Sequence, residues 1–294
     1  MPHHHHLSAA WAAPALVVLV TYVVLAGRTT WSRRRTASFV TGCALVTVAF
    51  TDPVASLAAA DFRGRMLQHV LIGLLAPPVL VMGAPVTLLL RSLTAARARR
   101  VTWALRGPAA HLLANLGTAL ALSAGGMAAL YCTPLYGLVP APLAHAYFLP
   151  AGCLFAWVVA GPDPAPRRPP MPVRLAALAM SIAVPVALSR IMDAGRLSLP
   201  VPSDQLRGAA EILHHGGDAA GLLLALALAT SWLRRRAPEN VEVESSATGL
   251  TVRVPGTPEP VRRAVPDREP VRARGPLTPS EYGDDLDEPD PADL

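Results

Sequence analysis

The sequence predicts an all-α, polytopic integral membrane protein with about seven transmembrane helices. Three observations carry that expectation. Of the 294 residues, 52% are hydrophobic and only 16% are charged, against about 25% charged in a soluble domain. Apolar runs recur at lengths near the ~20 residues that a helix needs to cross about 30 Å of hydrocarbon. The arginines between those runs alternate between rich and poor loops.

Seven segments qualify, at residues 7–26, 37–57, 66–90, 109–130, 145–160, 174–192 and 206–233. The first has no positive n-region, and its arginines follow the apolar stretch instead of preceding it, so it reads as an uncleaved helix and not as a signal peptide. The fifth is short and is interrupted by Pro150. From about Ala237 the composition changes to Pro, Arg, Glu and Asp, ending in an acidic run from Asp284 to Asp290. Such a stretch cannot bury enough apolar surface to offset its ordering entropy. The expected organisation is therefore a membrane domain over 1–236 and a disordered tail over 237–294.

Arginine distribution sets the expected orientation. With the N-terminus outside, the cytoplasmic side holds 15 arginines, among them Arg33–Arg35, Arg97, Arg99, Arg100 and Arg234–Arg236, and the outer side holds 5. Short-loop positive charge faces the cytoplasm, so the N-terminus is expected outside and the tail inside, in a bacterial plasma membrane. The pI near 9.9 follows from these loops and not from a nucleic-acid patch.

Other chemistry is excluded by what is missing. All 26 basic residues are arginines, so no lysine can serve as a Schiff-base or general-base residue. No Gly-rich phosphate loop, dinucleotide fingerprint or nucleophile elbow stands in its required context. The three cysteines form no CxxC pair. Cys43 and Cys153 lie inside apolar runs as small hydrophobes, whereas Cys132 sits at a segment end.

Beyond the N-terminal run His3–His6, which also resembles a partial purification tag, four of five histidines fall at the outer end of their segments: His69, His145, His214 and His215. Arg65, Gln68 and His69 share one helical stripe by their i, i+3, i+4 spacing. Polar residues in a transmembrane helix face the bundle interior or a watery cavity; a His–Gln pair gluing helices together is the competing structural explanation. His214 and His215 point about 100° apart on a helix, so one of them could ligate a metal with Glu211 or Asp218 orienting it. Alternatively, Gly216-Gly217 permits close packing and both histidines are interfacial. Cu(I) favours soft and imidazole ligands, and Met66, His69, Cys132, His145 and His215 offer that set if the helices bring them together.

The motifs then match something familiar. Arg65-Met66-Leu67-Gln68-His69, followed by Leu74-Leu75-Ala76-Pro77-Pro78 and Gly83-Ala84-Pro85-Val86-Thr87-Leu88, resembles the third helix of the CtaG-type cytochrome c oxidase assembly factors. Thr133-Pro134-Leu135-Tyr136, His145-Ala146-Tyr147-Phe148-Leu149, Gly161-Pro162-Asp163-Pro164, and Glu211 with Gly216-Gly217-Asp218 follow in the family's order. The resemblance runs from about residue 10 to 236. It implies a polytopic protein that assists maturation of cytochrome c oxidase, with oxidase subunits and the lipid bilayer as partners and copper delivery as an inferred role. The chain departs from the family pattern at Arg65 and Tyr147, where histidine is usual, at Pro185 in helix six, and at His214 and His215, where aromatics are usual. An arginine cation at position 65 would repel a bound copper ion.

The expectation is thus a non-enzymatic assembly factor that holds or hands on Cu(I) at an outer-face site of His69, His145, His215 and Met66, supported by Gln68, His214, Asp218 and Cys132. A small transporter or permease, and a metal-free scaffold for oxidase subunits, are the alternatives.

Overall fold

The computed structural model describes residues 4–165, 168–197 and 199–236, together with three short strands beyond them; side chains are described from Pro14 to Leu233 within those ranges. Twelve helices follow one another: α1 (His4–Gly27), α2 (Arg33–Phe50), α3 (Val54–Ala60), α4 (Phe62–Met82), α5 (Pro85–Ser92), α6 (Ala95–Leu105), α7 (Pro108–Leu113), α8 (Leu116–Cys132), α9 (Leu135–Leu138), α10 (Ala141–Val159), α11 (Met171–Asp193) and α12 (Ser203–Arg236). Four of these are long and apolar enough to cross a membrane, namely α4, α10, α11 and α12. The pair α2–α3 makes a fifth if its 44° bend is one broken span. The apolar part of α1 (Pro14–Gly27) and α8 are shorter.

All seven expected segments carry helix, but three are broken. Segment 37–57 breaks between Phe50 and Val54, segment 66–90 at Gly83-Ala84, and segment 109–130 between Leu113 and Leu116. Proline explains two of these breaks, since Pro53 and Pro85 lack the N–H that a continuing helix would use. Asn115 explains the third, its side chain accepting from Gly117 N–H at 2.9 Å to cap α8. By contrast Pro150 does not interrupt α10, which reaches back to Ala141 and is longer than the sequence suggested.

Proline also shapes α4. Pro77 and Pro78 cannot donate to the carbonyls of Gly73 and Leu74. The preceding turn, Val70–Leu75, accordingly widens to π geometry, with Ala76 N–H bonded to the Leu71 carbonyl. The freed Gly73 carbonyl lies against α10, where a Cβ at Gly152 would stand 2.5 Å from it. Glycine at 152 is what lets these two helices approach.

The opposite end of the bundle is held by polar contacts. Tyr22 donates to the Gly83 carbonyl at 2.7 Å and receives a hydrogen bond from Trp31 Nε1, while Arg35 and Arg91 lie over the Trp31 ring. Ala84 adopts a left-handed conformation, φ 53°, which costs a non-glycine residue about 1 kcal/mol. Asp163, 2% exposed, offsets it by capping α5, accepting from the N–H groups of Val86 at 3.1 Å and Thr87 at 2.8 Å. Arg174 is buried and donates through Nε to the Val159 carbonyl at 2.6 Å, satisfying the C-terminus of α10.

Apolar side chains fill the interior in two main clusters, one around Met66, Met127, Phe148, Met192 and Leu213 and one around Val81, Phe155, Val158 and Leu228. The bundle's outer surface is apolar too: Leu16, Val17, Met180, Leu222 and Leu226 are exposed. Water would penalise that surface and hydrocarbon would not, so the protein is a membrane protein.

The second unit spans Ala237–Leu294. Its described parts are Glu242–Ser246, Gly249–Arg253 and Val261–Arg262, which pair antiparallel in that order. The expectation of a disordered tail falls for the most part outside the described residues; where described, the chain forms this short ladder.

Candidate functional site

The N-terminal turns of α4 present the polar residues that the sequence singled out. Asp61 caps the helix, accepting from Arg63 N–H at 2.8 Å and from Arg63 Nε at 2.8 Å. The Arg63 hydrogen bonds hold the Asp61 carboxyl below the usual carboxylate range. Asp61 is thereby engaged with Arg63, and Arg65 forms no ion pair among the described residues. Arg65 instead donates through Nε to the Ala58 carbonyl at 3.2 Å and through Nη1 to the Tyr136 hydroxyl at 2.9 Å.

One turn deeper, Gln68 and His69 are both buried, at 8% and 4% exposure. Their side chains do different things. Gln68 Nε2 donates to the Ala49 carbonyl at 2.7 Å, across to α2. His69 makes no side-chain hydrogen bond among the described residues and sits edge-on to two rings, 4.4 Å from Phe148 and 5.5 Å from Tyr131 between centroids.

These residues open onto a cavity of about 160 Å³ lined by Arg65, Gln68, His69, Tyr131, Tyr136 and His145, with Leu130, Val139, Ala141 and Ala144 completing the wall. His145 enters from the first turns of α10 and packs edge-on against Phe50, 5.4 Å between centroids. His69 also lines a narrower interior cleft of about 30 Å³, where Ser123 and Ser181 are the hydroxyl side chains among mostly apolar neighbours. It therefore stands between the cavity and the middle of the bundle.

The other expected ligands are elsewhere. Met66 is fully buried in the core with Phe62, Met127 and Leu213 and is not part of the cavity wall. His215 is exposed on α12. Leu213 and Gly217, two residues to either side of it, are buried, and a step of two residues turns a helical side chain by about 200°, so His215 faces away from the bundle. His214 is half-buried; its Nε2 lies 3.7 Å from Asp218, and its Nδ1 is buried without a hydrogen-bond partner among the described residues. Cys132 is exposed at the end of α8 beside Tyr131. Among the described residues no three of His, Cys, Asp and Glu come together in a group able to hold a metal ion. The structure brings together His69 and His145, with Arg65 and Gln68, and leaves Met66, His214, His215, Asp218 and Cys132 outside that cavity. The side chains of His3–His6 lie outside the described residues.

The sequence did not nominate Tyr131, Tyr136 and Phe148 as parts of the site. Tyr136 and Phe148 belong to stretches quoted for their order, but nothing in their spacing predicts which rings will wall a cavity. The arrangement offers two imidazoles in apolar, aromatic surroundings, one guanidinium at the wall and no carboxylate. That donor set suits a soft monovalent cation in two-coordinate form better than a divalent ion wanting four or more ligands.

Comparison with known proteins supplies the family. Residues 16–235 match the family of cytochrome c oxidase caa3 assembly factors. An uncharacterized protein of Mycobacterium leprae is 31% identical over 183 residues, covering 56% of this chain and 28% of that protein. Uncharacterized proteins of Mycobacterium bovis and Mycobacterium tuberculosis are 28% identical over 232 residues, covering 70% of this chain and 35% of theirs. The chain thus spans about a third of the length of these relatives. No solved structure matches it.

Proposed function

The chain belongs to the cytochrome c oxidase caa3 assembly factor family, and from that premise we propose that it is a non-catalytic, multi-pass plasma-membrane protein that receives Cu(I) for a cytochrome c oxidase at the His69–His145 cavity. The observation that carries the reading is the convergence of these two imidazoles on one cavity, on a chain whose family concerns oxidase assembly. Copper here is cargo. His69 and His145 would hold it, their neutral nitrogens matching a soft d¹⁰ ion. Two ligands make a site that can release as well as bind. Arg65 opposes any cation in the cavity, and opposes a dication twice as strongly at a given distance, which favours the cuprous ion over divalent competitors.

The topology proposed with this reading is seven passes, N-terminus outside and C-terminus inside. The arginine asymmetry supports it, and so does helix in all seven apolar segments. The cavity then opens toward the outer face. Gln68 ties α4 to α2 through its Nε2.

A second reading, a metal-free scaffold for oxidase subunits, is favoured by one observation, the lack of a third ligand among the described residues. The permease alternative needs polar groups along a path, and below His69 the cleft offers Ser123 and Ser181, so it ranks behind both. The experiment is rescue of a host strain lacking this chain. Wild type should restore the copper content of the purified oxidase, and His69→Ala or His145→Ala should restore protein subunits but not copper. Full copper loading by both variants would sink the delivery role and leave the scaffold.

A further inference from the structure

α6 is an 11-residue helix in which no residue is buried. Helices shorter than about 12–15 residues are marginal in water and normally owe their stability to packing, yet this one is flanked by extended residues Leu93 and Thr94 on one side and the turn at Arg106-Gly107 on the other. Its side chains are sorted. Ala98, Val101 and Leu105 share the half-buried stripe by i, i+3, i+7 spacing. On the far side Arg97, Arg99, Arg100 and Trp103 are exposed, Trp103 at 80%. Trp103 is i+4 from Arg99 and i+3 from Arg100, so its position neighbours both arginines on the helix surface. None of these arginines makes an ion pair or a side-chain hydrogen bond among the described residues. Residues 62–162 contain no Asp or Glu at all, so no acidic residue lies near α6 in the sequence.

We infer that α6 lies in the plane of the membrane as a docking surface for anionic phospholipid headgroups, with phosphates held at Arg99 and Arg100 and the Trp103 indole at headgroup level. The physics is that of an interfacial helix: basic residues on the polar face meet lipid phosphate, and an amphipathic ring settles where one side is wet and the other apolar. Charge complementarity selects the occupant, because an anionic leaflet provides the counter-charge that α6 and the stretches on either side of it lack. The helix joins α5 to α7, so anchoring it fixes the depth of the segments on both sides. Nothing in this depends on copper.

The test uses the full chain in nanodiscs containing phosphatidylglycerol and phosphatidylcholine, with the Trp103 signal taken as wild type minus Trp103→Phe. Brominated lipids should quench that signal, and aqueous acrylamide should quench it less. Phosphatidylglycerol should be enriched around wild type. Each arginine near an anionic surface contributes on the order of a fivefold preference, so Arg99→Gln/Arg100→Gln should lower the enrichment about tenfold or more. Trp103 and Arg99/Arg100 are surface positions, and folding of each variant is checked by an unchanged unfolding midpoint. Quenching by acrylamide with none by brominated lipid would overturn the inference, leaving a solvated face or a protein-docking surface. Unchanged lipid enrichment in the double variant would overturn it equally.

Discussion

Gln68 and Ala49 join α4 to α2 through a hydrogen bond of 2.7 Å, from the side-chain amide of one to the backbone carbonyl of the other. The bond stands one residue before His69 and one before Phe50, which packs on His145. It therefore ties the helix that carries His69 to the helix whose Phe50 packs on His145. A buried amide left without its partner costs about 1–3 kcal/mol.

Gln68→Leu removes donor and amide together and leaves the Ala49 carbonyl unpaired. Thermal unfolding in detergent should show a loss of about 1–3 kcal/mol for it, with any copper affinity reduced only in proportion to lost order. Abolition of binding at wild-type stability would instead mark Gln68 as a ligand.

The α3–α4 hairpin depends on one glycine. A Cβ at Gly64 would stand 2.3 Å from the Leu57 carbonyl carbon and 2.4 Å from Ala58 N, whereas one at Gly125 meets nothing within 4 Å. Backbone cannot step aside as a side-chain tip can. Gly64→Ala should destabilise by about 3 kcal/mol or more, beyond ordinary overpacking, whereas Gly125→Ala, exposed on helical backbone, should stabilise by up to about 1 kcal/mol. Chemical denaturation of the two variants side by side checks the contrast; equal stabilities would contradict the packing described for α3 and α4.

Asp163 is expected to matter at a distance from the histidines. Asp163→Ala strands the N–H groups of Val86 and Thr87 and removes a buried cap worth about 1–2 kcal/mol. Protease sensitivity should rise at the α4–α5 junction while the His69–His145 cavity keeps its properties. A variant as resistant as wild type would deny the cap its role.

Arg65→Gln removes a cation from the cavity wall while keeping a donor for Tyr136. Cu(I) affinity should rise by a few-fold, up to about tenfold, and the gain should shrink at high ionic strength because the site opens to solvent. Weaker binding in the variant would mean that Arg65 helps the cation in, contrary to the electrostatics described.

Much of this was legible in the sequence, and the rest was hidden for identifiable reasons. Composition and apolar run length expose a helical membrane protein because hydrocarbon imposes both. Breaks at Gly83-Ala84 and Asn115 pass unnoticed, since the runs stay apolar through them. Pro150 misleads in the other direction: a proline in a membrane helix is tolerated where neighbours re-satisfy the freed carbonyl. His69 and His145 were nominated from a shared depth, and they line one cavity. His215 was nominated in the same way and is exposed, because depth says nothing of azimuth, and a two-residue step from buried Leu213 turns the side chain outward. Tyr131, Tyr136 and Phe148 were invisible as cavity walls for the same reason.

The central claim is that His69 and His145 together bind the cargo ion. Its most direct test is Cu(I) binding to the detergent-solubilised full chain, with His3–His6 replaced, by competition against a chromogenic Cu(I) chelator. The account predicts one Cu(I) per chain, lost in His69→Ala and in His145→Ala and unchanged in His215→Ala. A folded protein that binds no Cu(I), or one that loses it with His215 and keeps it without His69, would contradict the account.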